Sequence, residues 1–272
     1  MKDNAAETNT VRVAALADIH YKRDGSNSLR SIFEQISDEA HVLALCGDLT
    51  DYGLPDEMQV VVRELSTVRI PIVAVLGNHD YQSDQQTEIG KILSDAGVRV
   101  LDGESCEIQG VGFAGAKGFG GGFGTRTLEP WGERAVKAFV QEALDETLKL
   151  ESALARLRTP QRVVLLHYSP VQATVEGEPP EIFAFLGSTR LEEPINRYGA
   201  TAVFHGHAHH GSLEGRTRTG IPVYNVSISL LSRAYPARSP FRLLEIPVES
   251  LDGSASAESV AQSAQQASGG GK

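Results

Sequence analysis

Cysteine is scarce in this sequence: its 272 residues include two, Cys46 and Cys106. They form no Cys-x-x-Cys pair and no disulfide framework, so the fold must rest on its core. Cys46 ends an apolar run from Val42 and reads as a small buried hydrophobe. Basic charge is also short, with 25 Lys and Arg against 35 Asp and Glu and a net charge of −10. That balance argues against a nucleic-acid partner, which needs a basic face. It leaves a phosphate ester open, because bound cations would reverse the local field. No apolar run is long enough to span a bilayer, so no membrane partner is expected. Met1 to Thr10 is polar and mixed in charge, unlike a secretory signal, and a cytoplasmic location is the expectation. The Gly-rich segment Gly110 to Gly124 lacks the Lys-Ser/Thr ending of a phosphate-binding loop. It reads either as a flexible loop or as a mobile wall whose Lys117 or Phe side chains touch substrate.

What is present is an ordinary globular composition, 41% hydrophobic and 22% charged. Strand patterns over Val11 to Ala17, His41 to Cys46 and Ile70 to Leu76 alternate with helical spacing over Ser28 to Ile36, Pro55 to Ser66 and Thr87 to Ala96. That βαβαβα order predicts an α/β protein with a parallel sheet covered by helices. Short strands are expected near Gly97 to Leu101 and Ser105 to Phe113. A long helix follows from Glu133 to Arg158, its apolar side built from Ala135, Phe139, Leu144, Leu148 and Leu150. Strands over Gln161 to Leu166 and Ala200 to Phe204 come next. Ile221 to Leu231 and Phe241 to Val248 read as strands of a second sheet. From Asp252 the tail is Ser, Ala, Gln and Gly, which cannot bury enough apolar surface to fold.

The strand ends carry the chemistry. Asp18 and His20 follow the first strand, Asp48 the second, and Gly77-Asn78-His79-Asp80 the third. His167 and the pair His207 and His209 follow two later strands. Loops at the carboxyl ends of strands are where ligands bind in such sheets. Imidazoles mixed with carboxylates and one amide suit a transition metal such as Mn, Fe or Zn. The i, i+2 spacing in Asp18-x-His20 and His207-x-His209 points both side chains one way if the backbone is extended. Seven ligands exceed what one open ion takes and suit two ions clamping a phosphoryl group. Each block has a plainer reading. Asp18 and Asp48 are also good helix N-caps, His167 alone could be a core histidine, and Asn, His and Asp favour turns.

The set Asp-x-His, Gly-Asp, Gly-Asn-His-Asp, His and Gly-His-x-His resembles the calcineurin-like metallophosphoesterases. The resemblance runs from Asp18 to His209. It implies a two-layered β-sandwich of mixed sheets flanked by helices; with the composition of the ends, the domain is expected over residues 11–250, between a flexible tail at 1–10 and a disordered one at 251–272. It implies that Asp18, His20 and His209 hold one metal, that Asn78, His167 and His207 hold the other, and that Asp48 bridges both. A metal-bridging hydroxide would attack phosphorus in line. His79 would contact the phosphate or protonate the leaving oxygen, and Asp80 would orient the His79 ring. His205 is expected to be structural.

Protein phosphatases of this family carry an Arg where this chain has Tyr52, and a Glu where it has Asp80. Both departures resemble the class III cyclic-nucleotide phosphodiesterases and related bacterial enzymes, and imply a small phosphodiester substrate. A phosphomonoesterase or a DNA nuclease of the same family is the alternative within this chemistry. A non-catalytic binding scaffold, like the related retromer subunit, is the alternative outside it. Late apolar strands could offer an edge for a homodimer.

Overall fold

The computed structural model describes residues 8–25 and 28–249. The expected tail 251–272 and most of the expected tail 1–10 lie outside them. The first strand, β1 (Thr8–Leu16), takes in the last three residues of that N-terminal tail. It is followed by α1 (Arg30–Glu39), β2 (Val42–Cys46), α2 (Pro55–Leu65), β3 (Ile72–Val75), α3 (Gln86–Asp95) and β4 (Arg99–Val100). A hairpin of β5 (Glu104–Ile108) and β6 (Val111–Gly115) leads to the long α4 (Arg134–Arg156) and β7 (Gln161–Leu165). Short helices α5 (Phe183–Leu186) and α6 (Glu192–Tyr198) precede β8 (Ala202–His205), β9 (Glu214–Arg216) and β10 (Pro222–Asn225). The described chain closes with α7 (Ile228–Ala234) and β11 (Arg242–Glu249).

Two mixed sheets stack face to face, in the orders β11-β1-β2-β3-β4 and β5-β6-β7-β8-β10-β9. The alternation of side chains along a strand explains the layers. In β1, Val11, Val13 and Ala15 point between the sheets toward Phe113, Val163 and Phe204. Ala14 and Leu16 point the other way, into Phe33, Ile36 and Met58 of the helices that cover the first sheet. On the second sheet Ala114, Val164 and Val203 meet Leu150 and Leu154 of α4. Strands covered on both faces read as unbroken apolar runs, and β2 and β6 are buried throughout. Phe113 is fully buried between the sheets. Its truncation to alanine would cost about 3–5 kcal/mol. Cys46 is buried in the same layer, and neither cysteine is paired.

Four sequence expectations change. Phe241 to Val248 forms β11, which joins the first sheet, antiparallel to β1, rather than the second. Both sheets offered an edge, and apolar alternation cannot choose between them. Ile221 to Leu231 is not one strand: β10 stops at Asn225, whose side-chain oxygen accepts the Ser227 amide, and the turn so made launches α7. The single strand expected over Ser105 to Phe113 is instead the hairpin of β5 and β6, whose second arm carries the Gly-rich segment on to Gly115. Its glycines serve close packing, since a Cβ on Gly112 would lie 2.3 Å from Thr159 Oγ1 and one on Gly115 2.7 Å from Val75. Finally, α4 buries Val140, Ala143, Leu150 and Leu154 and leaves Leu144 and Leu148 exposed, so its inner face is rotated from the expected one.

Candidate metal centre

All seven expected ligands stand beyond the carboxyl ends of five strands, three in the first sheet and two in the second. The loops interlock. The amides of Asp18 and His20 donate to the carbonyls of Gly47 and Asp48, and the Gly206 amide donates to the His167 carbonyl. Ala17 pairs with Ser227, so the end of β1 is tied to the opposite sheet. The backbone at the ligands is not extended. Asp18, His20, Asp48 and His207 have φ of 60°, 43°, 51° and 71°. Left-handed conformations at non-glycine residues cost about 1–3 kcal/mol each and persist where the surroundings enforce them. Asp and His tolerate this better than most residues. Thus the i, i+2 pairs do converge, but through turns rather than through a shared strand face.

Three groups of candidate ligand atoms result: His20 with Asp51 and His79, and two built wholly from the expected ligands. Of those two, Asp18, His20 and His209 form one and Asp48, His167 and His207 the other, with the ligand atoms of each group within 4.8 Å of one another. Each of the two draws on both sheets. Asp48 lies between them, with Oδ2 3.8 Å from His20 Nε2 and Oδ1 3.3 Å from His167 Nε2. Asn78 Oδ1 lies 2.9 Å from the same His167 nitrogen. Tautomers follow from the partners. His167 Nδ1 faces the Cys46 carbonyl at 3.0 Å and His207 Nε2 the Phe185 carbonyl at 3.1 Å. A carbonyl only accepts, so those nitrogens carry hydrogen and His207 Nδ1 keeps its lone pair, whereas His167 Nε2 faces the Asn78 and Asp48 oxygens and would offer a lone pair only where a cation takes the place of its proton.

The residues fit two cations. Both ring nitrogens of His20 are buried without a hydrogen-bond partner, an arrangement that costs free energy unless something else binds there. The electrostatics agree. Burial opposes charge on His167, yet the Asp48 carboxylate outweighs it and raises the ring to about 9. Burial likewise opposes charge on Asp18 and Asp48, but the histidine partners win and hold both carboxyls below their usual range. The site is a buried anionic pair that draws positive charge to itself. Glycines make the room. A Cβ on Gly77 would lie 2.1 Å from Asp48 Oδ1, and one on Gly206 2.7 Å from Asp18 Oδ2.

His79 and Asp80 separate in role. The His79 ring stands 4.5 Å from that of His20, at the mouth, and its amide donates to Asp48. The expectation that Asp80 orients this ring is corrected. The Asp80 carboxylate accepts the amides of Leu49, Thr50 and Gly77 and the Thr50 hydroxyl, so it is saturated and faces away. Burial and the Asp48 charge push it up to about 6 against those donors. The ring is held instead by the Asp51 carbonyl, 2.7 Å from His79 Nδ1. Asp51 also sends its carboxylate to within 3.8 Å of His20 Nδ1. Sequence reading passed over Asp51; its position three residues after Asp48 in the same block was the available signal.

Several other expectations resolve. His205 is fully buried, bonded to Thr174 and kept neutral by burial, which pushes it down to about 4. Lys117 does not reach the centre. It is 5% exposed, and its ammonium donates to the Gly118 carbonyl and lies 4.8 Å over the Phe119 ring. Its own carbonyl accepts the His167 amide and so supports that ligand from behind. The segment Gly118 to Gly122 is pinned rather than mobile, bonded to Ala184 and Gly187. Arg233 of α7 reaches in from the opposite rim and donates to the His209 carbonyl.

A family model of calcineurin-like phosphoesterases matches residues 11–211, and the chain belongs to that family. Among solved structures it is similar to the phosphopantetheinyl hydrolase PptH of Mycobacterium tuberculosis. The identity is 15% over 85% of this chain and 95% of that one, with a TM-score of 0.62. It is similar to GAP50, the anchor in the inner membrane complex of Plasmodium, at 12% identity over 90% and 86% of the two chains and a TM-score of 0.55. TT1561 of Thermus thermophilus follows at 14% identity over 88% and 99%, with a TM-score of 0.52. These likenesses show the fold. A search of curated proteins returned no match. Family membership and the two ligand groups together support a metal-dependent phosphoesterase. No helix among the described residues is long and apolar enough to cross a membrane.

Proposed function

We propose that the protein is a dimetal phosphodiesterase acting on a small substrate, with cyclic nucleotides among the candidates. The observation that carries the reading is the pair of ligand groups with Asp48 between them. Asp18, His20 and His209 would hold one ion, Asn78, His167 and His207 the other, and Asp48 both. The ions, Mn, Fe or Zn, would neutralise phosphoryl charge and lower the pKa of the attacking water. His79 would serve as the acid. With Nδ1 donating to the Asp51 carbonyl, the proton given to the leaving oxygen would come from Nε2 of the doubly protonated ring. Asp80 would be a positioning residue that fixes the Asp48 loop against the Gly77 loop.

The diester preference rests on Tyr52. It occupies the place of a phosphate-gripping Arg and is 53% exposed. A diester carries one charge fewer than a monoester and needs less cationic help beyond the metals. A cytoplasmic location belongs to the same reading. The test is hydrolysis of bis(p-nitrophenyl) phosphate beside p-nitrophenyl phosphate, on chelator-stripped protein titrated with Mn. Metal-dependent diesterase activity that falls in Asn78→Ala and His79→Ala is expected. Monoesterase turnover far above diesterase turnover would sink the substrate assignment.

A further inference from the structure

The turn His207-Ala208-His209 needs outside support. His207 takes a left-handed φ of 71°. Two tight bonds follow, from the Ala208 amide to the Gly206 carbonyl at 2.8 Å and from the His209 amide to the His207 carbonyl at 3.1 Å. Backbone of this kind persists where its surroundings enforce it. The donors that reach it from outside come from one segment, residues 225–233, which supplies no ligand itself.

Asn225 ends β10, which runs parallel to β8 with Asn225 opposite His205. That register sets it beside the approach to the turn. Asn225 is 1% exposed, and both ends of its side-chain amide are used. Oδ1 accepts the Ser227 amide, so Nδ2 is the donor, and it donates to the Ala208 carbonyl at 2.7 Å. Ala208 lies between the two ligands of the turn. Arg233, near the end of α7, donates to the next carbonyl, that of His209.

Between these two anchors the segment is fastened to the other side of the same ligand group. The Ala17 amide donates to the Val226 carbonyl at 2.9 Å, and the Ile228 amide to the Ala17 carbonyl at 3.0 Å. Ala17 directly precedes Asp18, whose carboxylate accepts the His207 amide at 3.1 Å. One stretch of chain thus braces Asp18 from one end and His209 from the other. His167 is held by different means, its ring by the Cys46 carbonyl and its amide by the Lys117 carbonyl.

We infer that Asn225 and Arg233 are positioning residues for the metals. Arg233 sets the first ion, that of Asp18, His20 and His209, through the His209 carbonyl. Asn225 sets both ions, because the turn it holds carries a ligand of each. The inference rests on the dimetal reading and adds residues beyond the five ligand blocks to it.

The test counts ions and needs no substrate. Protein is dialysed against buffers of graded free Mn, and Mn per chain is read by plasma mass spectrometry. In Arg233→Ala the midpoint for one ion should move to about tenfold higher free Mn, the lower end of what partners of metal ligands contribute. The other midpoint should stay. The step that moves should be the one missing in His209→Ala. Arg233→Lys, whose ammonium can still donate to the carbonyl, should recover most of the shift. Asn225→Asp keeps the acceptor for Ser227, loses the donor for Ala208, and should shift both steps. Chelator-stripped Arg233→Ala should melt with the wild type. Unchanged midpoints in Arg233→Ala overturn the inference and leave the dimetal centre standing. A tighter first ion overturns it as well, since the guanidinium would then act by charge alone. Equal shifts of both steps in Arg233→Ala, with earlier melting of the stripped protein, reduce Arg233 to general support of the fold and overturn its role. If Asn225→Asp does not fold, the Arg233 series decides. Wild-type protein that retains no Mn overturns the metal reading and this one with it.

Discussion

Asp48 and Trp131 both sit where their chemistry is least at home. The carboxylate is 1% exposed and the indole 76%. Around Asp48, charged and polar side chains are driven inside on strained, left-handed backbone. At Trp131 and at Phe185, apolar rings are left outside. Folding alone explains neither, since each arrangement forgoes stability that the opposite one would give. Cations would satisfy the first region, and Phe185 stands at its border, its carbonyl bonded to His207 and its ring exposed.

Breaking the polar region should have the largest effect. Asp48→Ala removes the carboxylate that lies between the two ligand groups. Turnover should fall about 10³-fold or more, with metal content by plasma mass spectrometry dropping below two ions per chain. Chelation should come next. A cation present at a thousandfold excess over its Kd stabilises the fold that binds it by about 4 kcal/mol. Calorimetry should therefore record a clear drop in Tm on adding a chelator, reversed by Mn. If Tm does not move, the buried carboxylates are satisfied without metal.

His79 and Asp80 sharpen the comparison within the site. His79→Ala should cost about 10²-fold in turnover while leaving Tm unchanged. Asp80→Ala strands three buried amides and should cost about 3 kcal/mol of stability, read from urea midpoints, with activity lost through the displaced Asp48 loop. Equal stability losses in the two variants would erase the distinction between proton donor and positioning residue. The smallest effect belongs to the apolar region. Trp131→Ser should change stability by no more than about 0.5 kcal/mol, because the indole has little burial to lose. A large loss would mean that the ring is part of the core.

The strand ends that carry the ligand blocks were legible from sequence because their residue types are costly anywhere else. Gly-Asn-His-Asp after an apolar run has few structural uses, and five such blocks in one order have fewer. The supporting cast was not legible. Asp51 acts on His79 through a backbone carbonyl, which any residue type carries. Asp80 follows His79 directly, yet the helical turn over His79–Tyr81 sends the two side chains apart. The sheet partner of β11 depended on which free edge the chain could reach. The exposed face of α4 escaped because Leu144 and Leu148 are apolar yet lie outside, a choice that periodicity reads in reverse.

The antiparallel pairing of β1 with β11 sets Thr8 opposite Glu249. The two ends of the sandwich are thus neighbours at one edge of the first sheet, on the side away from the metal ligands. A unit whose ends meet can be spliced into a loop of a host protein, or reopened elsewhere after a short linker closes the gap, with its ligand-bearing loops undisturbed. The architecture is portable as a cassette, and its two connections would enter and leave a host side by side.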